Sequence, residues 1–226
     1  TPVFADIQPD TGNLDPDAVA NAMTPRTRAI IAVDYTGQPA DLDALQDLAD
    51  RRGLVLIEDA AQALGASYKD RKVGSIAPLT TFSTHPVKHI ATAEGGMVTT
   101  ADAALAERMR RFRNHGIERE KAEQSKHGDW FYEIRELGYN YRLPDVLCAL
   151  GQSQLAKADA WLARRSALAA KYDRAIERLP GVGRLRVRPD RTSSWHLYVV
   201  KFDLAQFAVD RSRLFRALRA EGIGVN

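Results

Sequence analysis

Residues 54–59 (LVLIED) form an apolar run that ends in two carboxylates. A second strand-like run, residues 79–83 (LTTFS), is followed five positions later by Lys88. Short apolar runs bounded by charged or turn residues indicate strands inside a sheet. Ligands of open parallel sheets bind beyond the carboxyl ends of such strands. We therefore expect Asp59, Ser83 and Lys88 to lie at one edge of a sheet.

Strands and helices are predicted to alternate along the chain. The predicted strands are residues 3–7, 29–33, 54–57, 79–83, 97–100 and 195–202. The predicted helices are residues 15–23, 41–53, 102–114, 145 to beyond 155, 159–179 and 211–221. Strand, helix and strand at these distances favour an α/β fold whose sheet is mostly parallel, with right-handed crossovers.

Four local features of this pattern carry further expectations. Asp41 and Asp102 precede helical periodicity and are expected to cap helices. The run at residues 29–33 is apolar throughout, which favours a strand covered on both faces. Residues 117–136 lack a clear period and are expected to form a long loop. Cys148 is expected to be a small buried side chain on a helix.

Composition narrows the class of protein. Of 226 residues, 45% are hydrophobic and 27% are charged, as in ordinary globular proteins. The net charge of +3 is too small to favour nucleic acid binding. No apolar run approaches the roughly 20 residues that cross a membrane. A single cysteine excludes an internal disulfide and fits a reducing compartment, so we expect a cytoplasmic protein.

The organisation of the chain predicts two parts. The sequence begins at Thr1 without methionine, and both of its ends read as the middle of an element. We therefore expect it to be an internal part of a longer polypeptide. Residues 1–158 are predicted to form a large domain that lacks its N-terminal part. Residues 159–226 are predicted to hold a linking helix and the start of a small α+β domain.

An amine and a carboxylate at neighbouring strand ends suit a pyridoxal phosphate enzyme. A lysine amine has a reference pKa near 10.4, so at neutral pH it is a poor nucleophile until it forms an imine with an aldehyde cofactor. Our hypothesis is that Lys88 carries the cofactor as a Schiff base, Asp59 holds its ring nitrogen and Ser83 contacts its phosphate. The alternatives are a solvated loop lysine and an aspartate that only caps a helix. No histidine and carboxylate cluster has metal-ligand spacing, so no catalytic metal is predicted.

Six motifs occur in order along the chain: residues 33–41 (VDYTGQPAD), 58–63 (EDAAQA), 82–88 (FSTHPVK), 94–96 (EGG), 113–116 (RNHG) and 138–142 (GYNYR). They resemble the nucleotide-sugar aminotransferases of the DegT/DnrJ/EryC1/StrS family. This resemblance implies the fold-type I architecture of aspartate aminotransferase, with a mixed, mostly parallel, seven-stranded-type sheet between helices and a small α+β C-terminal domain. It also implies a homodimer whose active site is shared between subunits.

The resemblance assigns a role to each matching residue. It implies that Lys88 is the Schiff-base lysine, Asp59 the partner of the pyridine nitrogen and Ser83 a phosphate ligand. Gln62 matches the residue beside the cofactor ring. Asn140 matches an asparagine that reaches the phosphate of the partner subunit's cofactor. The implied cofactor is pyridoxal 5′-phosphate, which becomes pyridoxamine 5′-phosphate in the half-reaction.

Three motifs most resemble the pseudaminic acid branch of the family: residues 85–89 (HPVKH), 194–198 (SWHLY) and 222–226 (GIGVN). That branch aminates C4 of a UDP-linked 4-keto-6-deoxy-N-acetylhexosamine, with L-glutamate as donor. Gln62 is a departure, because the branch often carries histidine there. Two alternatives stay open. One is a pyridoxal phosphate-dependent sugar dehydratase of the same fold, although such relatives replace the lysine with histidine. The other is a non-catalytic sensor that binds the cofactor.

Overall fold

The computed structural model describes residues 1–225, so Asn226 of the GIGVN motif lies outside the described residues. The helices are α1 (Pro16–Ala22), α2 (Leu42–Arg52), α3 (Ala103–Phe112), α4 (Lys121–His127), α5 (Asp145–Leu155), α6 (Ala158–Ile176) and α7 (Arg211–Ala220). The strands are β1 (Ala29–Val33), β2 (Val55–Asp59), β3 (Ser67–Tyr68), β4 (Arg71–Lys72), β5 (Leu79–Ser83), β6 (Gly96–Thr99), β7 (Ile117–Glu118), β8 (Glu133–Ile134), β9 (Val182–Arg184), β10 (Arg191–Thr192) and β11 (Val200–Phe202).

The main sheet has the strand order β1-β2-β5-β6. Strands β1, β2 and β5 run parallel, and β6 is antiparallel to β5. The predicted mixed, mostly parallel sheet is therefore confirmed, with four of its strands in the described part of the chain. Asp59 is the last residue of β2 and pairs with Val33 of β1 and Thr81 of β5. This register brings the carboxyl ends of the three parallel strands together.

Successive side chains of a strand point to opposite faces of the sheet. Helix α2 packs on one of these faces, and the core lies there. Leu42, Leu45 and Ala49 of α2 are buried there against Ile30 and Leu56 of the sheet. Burial of each leucine stabilises the fold by about 2 kcal/mol relative to an exposed side chain. Gly53 ends α2 with φ of 60°, a left-handed conformation that glycine adopts without strain.

The other face of the sheet is open in residues 1–225. Ile31, Val33 and Val55 point to this face and are 61%, 41% and 44% exposed. The prediction that the strand at residues 29–33 is covered on both faces is therefore wrong for the described part of the chain. Every second residue of β1 packs on α2, while the others meet no covering element.

Two predicted strands are wrong or shortened. Residues 3–7 form no strand, and only Ile7 makes a bridge, to Leu14. The strand predicted at residues 195–202 is confined to β11. Upstream of β11, the backbone of residues 193–197 bonds to the turn at Tyr35–Gly37 instead of to a strand. Trp195 also has φ of 52°, which interrupts an extended conformation.

The predicted long loop at residues 117–136 contains regular structure. Helix α4 lies between β7 and β8, which pair with each other. The helix was missed because its side chains are almost all polar, so no apolar period indicates it. Gly128 ends it with φ of 106°.

The capping residues divide into one confirmed prediction and one that is wrong. Asp102 caps α3, since its Oδ1 accepts hydrogen bonds from the N–H groups of Ala104 and Leu105 at 2.8 and 3.1 Å. Asp41 precedes α2 but makes no side-chain cap. Its carboxylate accepts a hydrogen bond from Gln8 Nε2 instead.

Cys148 lies on α5 as predicted but is exposed, so its predicted burial is wrong.

The C-terminal part of the chain is connected to the large sheet region by hydrogen bonds. Strand β10 pairs with β3, which forms a hairpin with β4, while β9 and β11 form a separate two-stranded sheet. The division into domains at residue 158 stays a prediction.

None of the helices in residues 1–225 combines the length and apolar character needed to cross a membrane.

Candidate active site

Asp59 and Ser83 lie on the same face of neighbouring strands. Asp59 of β2 is paired with Thr81 of β5, and Ser83 is two residues further along β5. Two residues of a strand advance by about 7 Å and point to the same side. The predicted meeting of Asp59 and Ser83 at one sheet edge is therefore present, on the open face of the sheet.

The Asp59 carboxylate has one oxygen held by the backbone. Its Oδ1 accepts a hydrogen bond from the N–H of Ala61 at 3.1 Å, and the side chain is half-buried. Within residues 1–225, Asp59 forms no ion pair with a lysine, arginine or histidine. A half-buried carboxylate without a cation fits the protonated nitrogen of a pyridine ring.

The loop after β5 carries Lys88 and is closed at its base. The N–H of Thr84 donates to the carbonyl of Gly95 at 2.9 Å, and the N–H of Thr92 donates to the carbonyl of Thr84 at 2.8 Å. Lys88 lies inside this closed loop, and its N–H donates to the carbonyl of His85. Its side chain is half-buried and pairs with no carboxylate of the described chain. An amine without an ion pair fits a covalent link to an aldehyde.

Two further contacts anchor the Lys88 loop to distant parts of the chain. His89 Nε2 donates to the carbonyl oxygen of Ser194 at 3.0 Å. The N–H of Ala91 donates to Gln154 Oε1 on α5 at 2.9 Å. The loop that carries Lys88 is therefore held by two distant segments of the chain, at Ser194 and at Gln154.

His196, which belongs to the predicted strand at residues 195–202 and to the SWHLY motif, lies next to this loop. Its ring centroid is 5.4 Å from that of His89. Burial, followed by the positive charge of Lys88, lowers the pKa of His196 to about 4. Burial also lowers the pKa of His89. Both rings are therefore neutral at physiological pH, and no local pattern could join His196 to residues so far away in sequence.

Gln62 supports the turn that follows β1. Its Oε1 accepts a hydrogen bond from the N–H of Thr36 at 2.8 Å, and its carbonyl accepts from Ser194 Oγ at 2.8 Å. Gly37 lies beside both groups with φ of 103°, and a Cβ there would come within 2.8 Å of the Gln62 carbonyl oxygen. Gln62 thus fixes the end of β1 near Asp59, and its contact with a cofactor ring stays a prediction.

In residues 1–225, Asn140 forms no hydrogen bond with the other predicted site residues. It forms an isolated bridge with Asn114. The backbone bonds of its neighbours Tyr139 and Tyr141 run to residues 112–115, and in residues 1–225 none of them reaches the Lys88 loop. A contact between Asn140 and the cofactor of a partner subunit stays a prediction.

Comparison with known proteins gives consistent matches. Residues 1–226 match the DegT/DnrJ/EryC1/StrS aminotransferase family. The chain is 40% identical over 222 residues to the spore coat polysaccharide biosynthesis protein SpsC of Bacillus subtilis, which covers 98% of this chain and 57% of SpsC. PseC of Helicobacter pylori, an aminotransferase involved in the biosynthesis of pseudoaminic acid, superposes with a TM-score of 0.88 at 36% identity, covering 98% of this chain and 57% of PseC. DesV of S. venezuelae superposes with a TM-score of 0.87 at 41% identity, covering 99% of this chain and 56% of DesV.

The chain thus spans a little more than half the length of these relatives. The structural similarity confirms the predicted fold class, that of the α/β sugar aminotransferases that depend on pyridoxal phosphate. Solved relatives include both the pyridoxal phosphate and the pyridoxamine phosphate form. From the match over its whole length, the chain belongs to the DegT/DnrJ/EryC1/StrS aminotransferase family.

Proposed function

We propose that the full-length protein is a pyridoxal phosphate-dependent aminotransferase that moves an amino group from L-glutamate to C4 of a UDP-linked 4-keto-6-deoxy-N-acetylhexosamine. One observation carries the proposal: Asp59 and Ser83 share the open face of adjacent parallel strands, and the anchored loop with Lys88 follows directly. Family membership supports the same chemistry.

Three residues would hold the cofactor, each through a different part of it. Lys88 would bond to its aldehyde carbon, Asp59 would accept the proton of its ring nitrogen, and the Ser83 hydroxyl would donate to its phosphate. When bound, pyridoxal phosphate supplies a carbonyl that joins amines and a ring that takes up the electrons left by a departing proton. The amine of Lys88, once free, would carry that proton from the α-carbon of glutamate.

The substrate proposal rests on relatives and motifs. PseC is described as an aminotransferase of pseudoaminic acid biosynthesis, and SpsC as a protein of spore coat polysaccharide biosynthesis. Both descriptions favour a sugar acceptor. The HPVKH and SWHLY motifs contribute His89, within the amine-bearing loop, and His196, whose ring centroid is 5.4 Å from that of His89. Neutral rings at this place suit contacts with hydroxyl groups of a sugar.

The proposed assembly is a cytoplasmic homodimer. Several large apolar side chains around Asn140 and on α5 are exposed: Leu137, Tyr139, Tyr141, Val146, Leu150 and Leu155. An exposed apolar surface of this kind favours contact with another protein surface. A second copy of the chain would cover it and would bring Asn140 to the phosphate of the partner's cofactor.

The test is to incubate the full-length protein with L-glutamate and a panel of UDP-linked 4-keto sugars. We expect an amino sugar and 2-oxoglutarate in equal amounts, measured by mass spectrometry. The Lys88→Ala variant should give neither product, while Lys157→Ala, at an exposed lysine before α6, should keep the wild-type rate. Loss of water from the sugar would favour a dehydratase, and bound cofactor without transfer would favour a sensor. Full turnover by Lys88→Ala would contradict the proposal.

A further inference from the structure

Two buried carboxyl groups, those of Asp34 and Glu58, lie on the face of the sheet opposite the proposed cofactor face. Glu58 precedes Asp59 on β2, so its side chain points to the opposite, buried face of the sheet. Asp34 follows β1 and is two residues beyond Ala32, which pairs with Glu58. Both carboxyl groups are 0% exposed. Each therefore lies in the core, and not in water.

In each carboxyl group, one oxygen accepts a hydrogen bond from a backbone N–H or a hydroxyl group. Asp34 Oδ1 accepts from the N–H of Ala40 at 2.9 Å, and Glu58 Oε2 accepts from Thr80 Oγ1 at 2.7 Å. In the described part of the chain, the remaining oxygens, Asp34 Oδ2 and Glu58 Oε1, are buried and meet no other donor. Because the two side chains lie on the same buried face of neighbouring strands, a hydrogen bond between these two oxygens would satisfy both. Such a bond requires a proton on one of them, because two carboxylates only accept.

The charges around the pair favour a single shared proton. Burial raises the pKa of Asp34 well above its ordinary value, and the negative charges of Glu58 and Asp59 raise it further. Burial also raises the pKa of Glu58, although the Thr80 hydroxyl, Asp34, the nearby Gly74 backbone and the positive charge of Arg71 oppose this rise. Burial of both groups therefore favours one proton held within the pair.

We propose that Asp34 and Glu58 share one proton in the folded protein and that this pair positions Asp59 for the cofactor. The backbone connects the groups, because Glu58 and Asp59 are consecutive and the N–H of Asp34 donates to the carbonyl of Asp59 at 3.0 Å. Without the proton, two buried negative charges would repel each other and separate the ends of β1 and β2. The part of this inference that concerns the cofactor rests on the proposed function of Asp59.

Infrared spectroscopy of the full-length protein tests the shared proton directly. At neutral pH we expect the carbonyl-stretch band of a buried protonated carboxylic acid. This band should be absent from Asp34→Asn, whose amide replaces the acid. It should persist in Asp47→Asn, which makes the same change at an exposed position of α2. A wild-type spectrum without the band, or a band unchanged in Asp34→Asn, would overturn the inference.

The pH dependence of thermal stability gives a second readout. Because the folded pKa of Asp34 is raised, its contribution to stability is complete below the ordinary value of 3.8 and declines as pH rises toward the raised pKa. Asp34→Asn keeps the hydrogen bonds without a titrating proton. The melting temperature of Asp34→Asn relative to wild type should therefore increase as pH rises from 4 to 9. A difference that stays constant with pH would contradict the shared proton.

Cofactor binding tests the positioning role. Asp34→Asn should bind pyridoxal phosphate within about twofold of wild type, whereas Asp34→Ala should bind roughly tenfold more weakly or worse, because it leaves buried partners unsatisfied. Equal binding by folded Asp34→Ala and wild type would remove the positioning role. Failure of the wild type to bind the cofactor would instead refute the proposed function, and the infrared band would still decide on the shared proton.

Discussion

The Asp59 carboxylate uses one oxygen for a backbone bond and leaves the other facing the open side of the sheet. Asp59→Asn keeps an acceptor for the N–H of Ala61 but cannot hold a proton on the cofactor ring nitrogen. We expect turnover to fall by about two orders of magnitude or more while the protein stays folded. Asp59→Ala should also weaken cofactor binding, measured by absorbance titration.

A matched control for Asp59 is available in the hairpin of β3 and β4. Asp70 is exposed and has φ of 64°, a conformation that asparagine adopts readily. Asp70→Asn should therefore leave turnover and cofactor binding unchanged. Equal activity of Asp59→Asn and Asp70→Asn would show that another group protonates the ring.

The lowered pKa of His196 predicts that the folded protein loses stability in acid. Its pKa of about 4 in the folded protein lies below the ordinary 6.5, so the unfolded chain binds a proton more readily between these values. The contribution of His196 to stability is complete above pH 6.5 and is lost as pH falls toward 4. His196→Gln should consequently lose less melting temperature between pH 7 and 4 than wild type does. His127→Gln, at an exposed histidine, should behave like wild type, and parallel curves for His196→Gln and wild type would contradict the assignment.

The position of a residue could be predicted only where a local sequence pattern, such as the end of an apolar run, indicates it. Asp59 and Ser83 end apolar runs, so the rule that ligands bind at strand ends places them without a structure. The position of Lys88 beside them stays a prediction. His196 and the Asp34–Glu58 pair could not be found in this way. Their proximity depends on how a distant segment packs and on the register of two strands, and neither leaves a local pattern.

At the scale of the element, helix α3 begins with the cap formed by Asp102. Asp102→Ala removes the acceptor for two N–H groups and should lower the free energy of unfolding by about 1 kcal/mol. Chemical denaturation with circular dichroism measures this change. Glu120 occupies the same position before α4 without a side-chain cap, so Glu120→Ala should have little effect. Equal losses in the two variants would argue against the cap.

Elements were predicted well where propensity and burial agree. β1, β2, β5 and α2 combine apolar spacing with clear ends, and the structure has them within a residue or two. The predicted strand at residues 195–202 failed because Ser194 and Leu197 donate backbone hydrogen bonds to the turn at residues 35–37. Such tertiary bonds override local β propensity.

At the scale of the whole molecule, Arg191 connects the C-terminal part to the large sheet region. Its side chain is only 5% exposed and donates to the carbonyls of Pro39 and Ala40 at 2.9 and 3.0 Å. It also forms an ion pair with Asp41 at 2.7 Å and lies over the ring of Tyr68. Arg191 thus explains why Asp41 is not free to cap α2.

Loss of this arginine should weaken the entire fold. Arg191→Leu removes the ion pair with Asp41 and leaves two carbonyls without their donor, and it should cost about 3 kcal/mol, visible as a lower urea midpoint. Arg186→Leu, at an exposed position nearby, should change the midpoint little. If both variants unfolded at the same urea concentration as wild type, the contacts of Arg191 would not contribute to the stability of the fold.

Strand β2 ends in two acidic residues that serve opposite sides of the sheet, Glu58 inward and Asp59 outward. Their roles depend on alternation alone, because the side chains differ by one methylene group. Deleting a single residue from positions 55–57 would exchange the two sides, moving the outward acid into the interior and the inward acid into solvent. This part of the gene should therefore accept conservative replacements but no change in length.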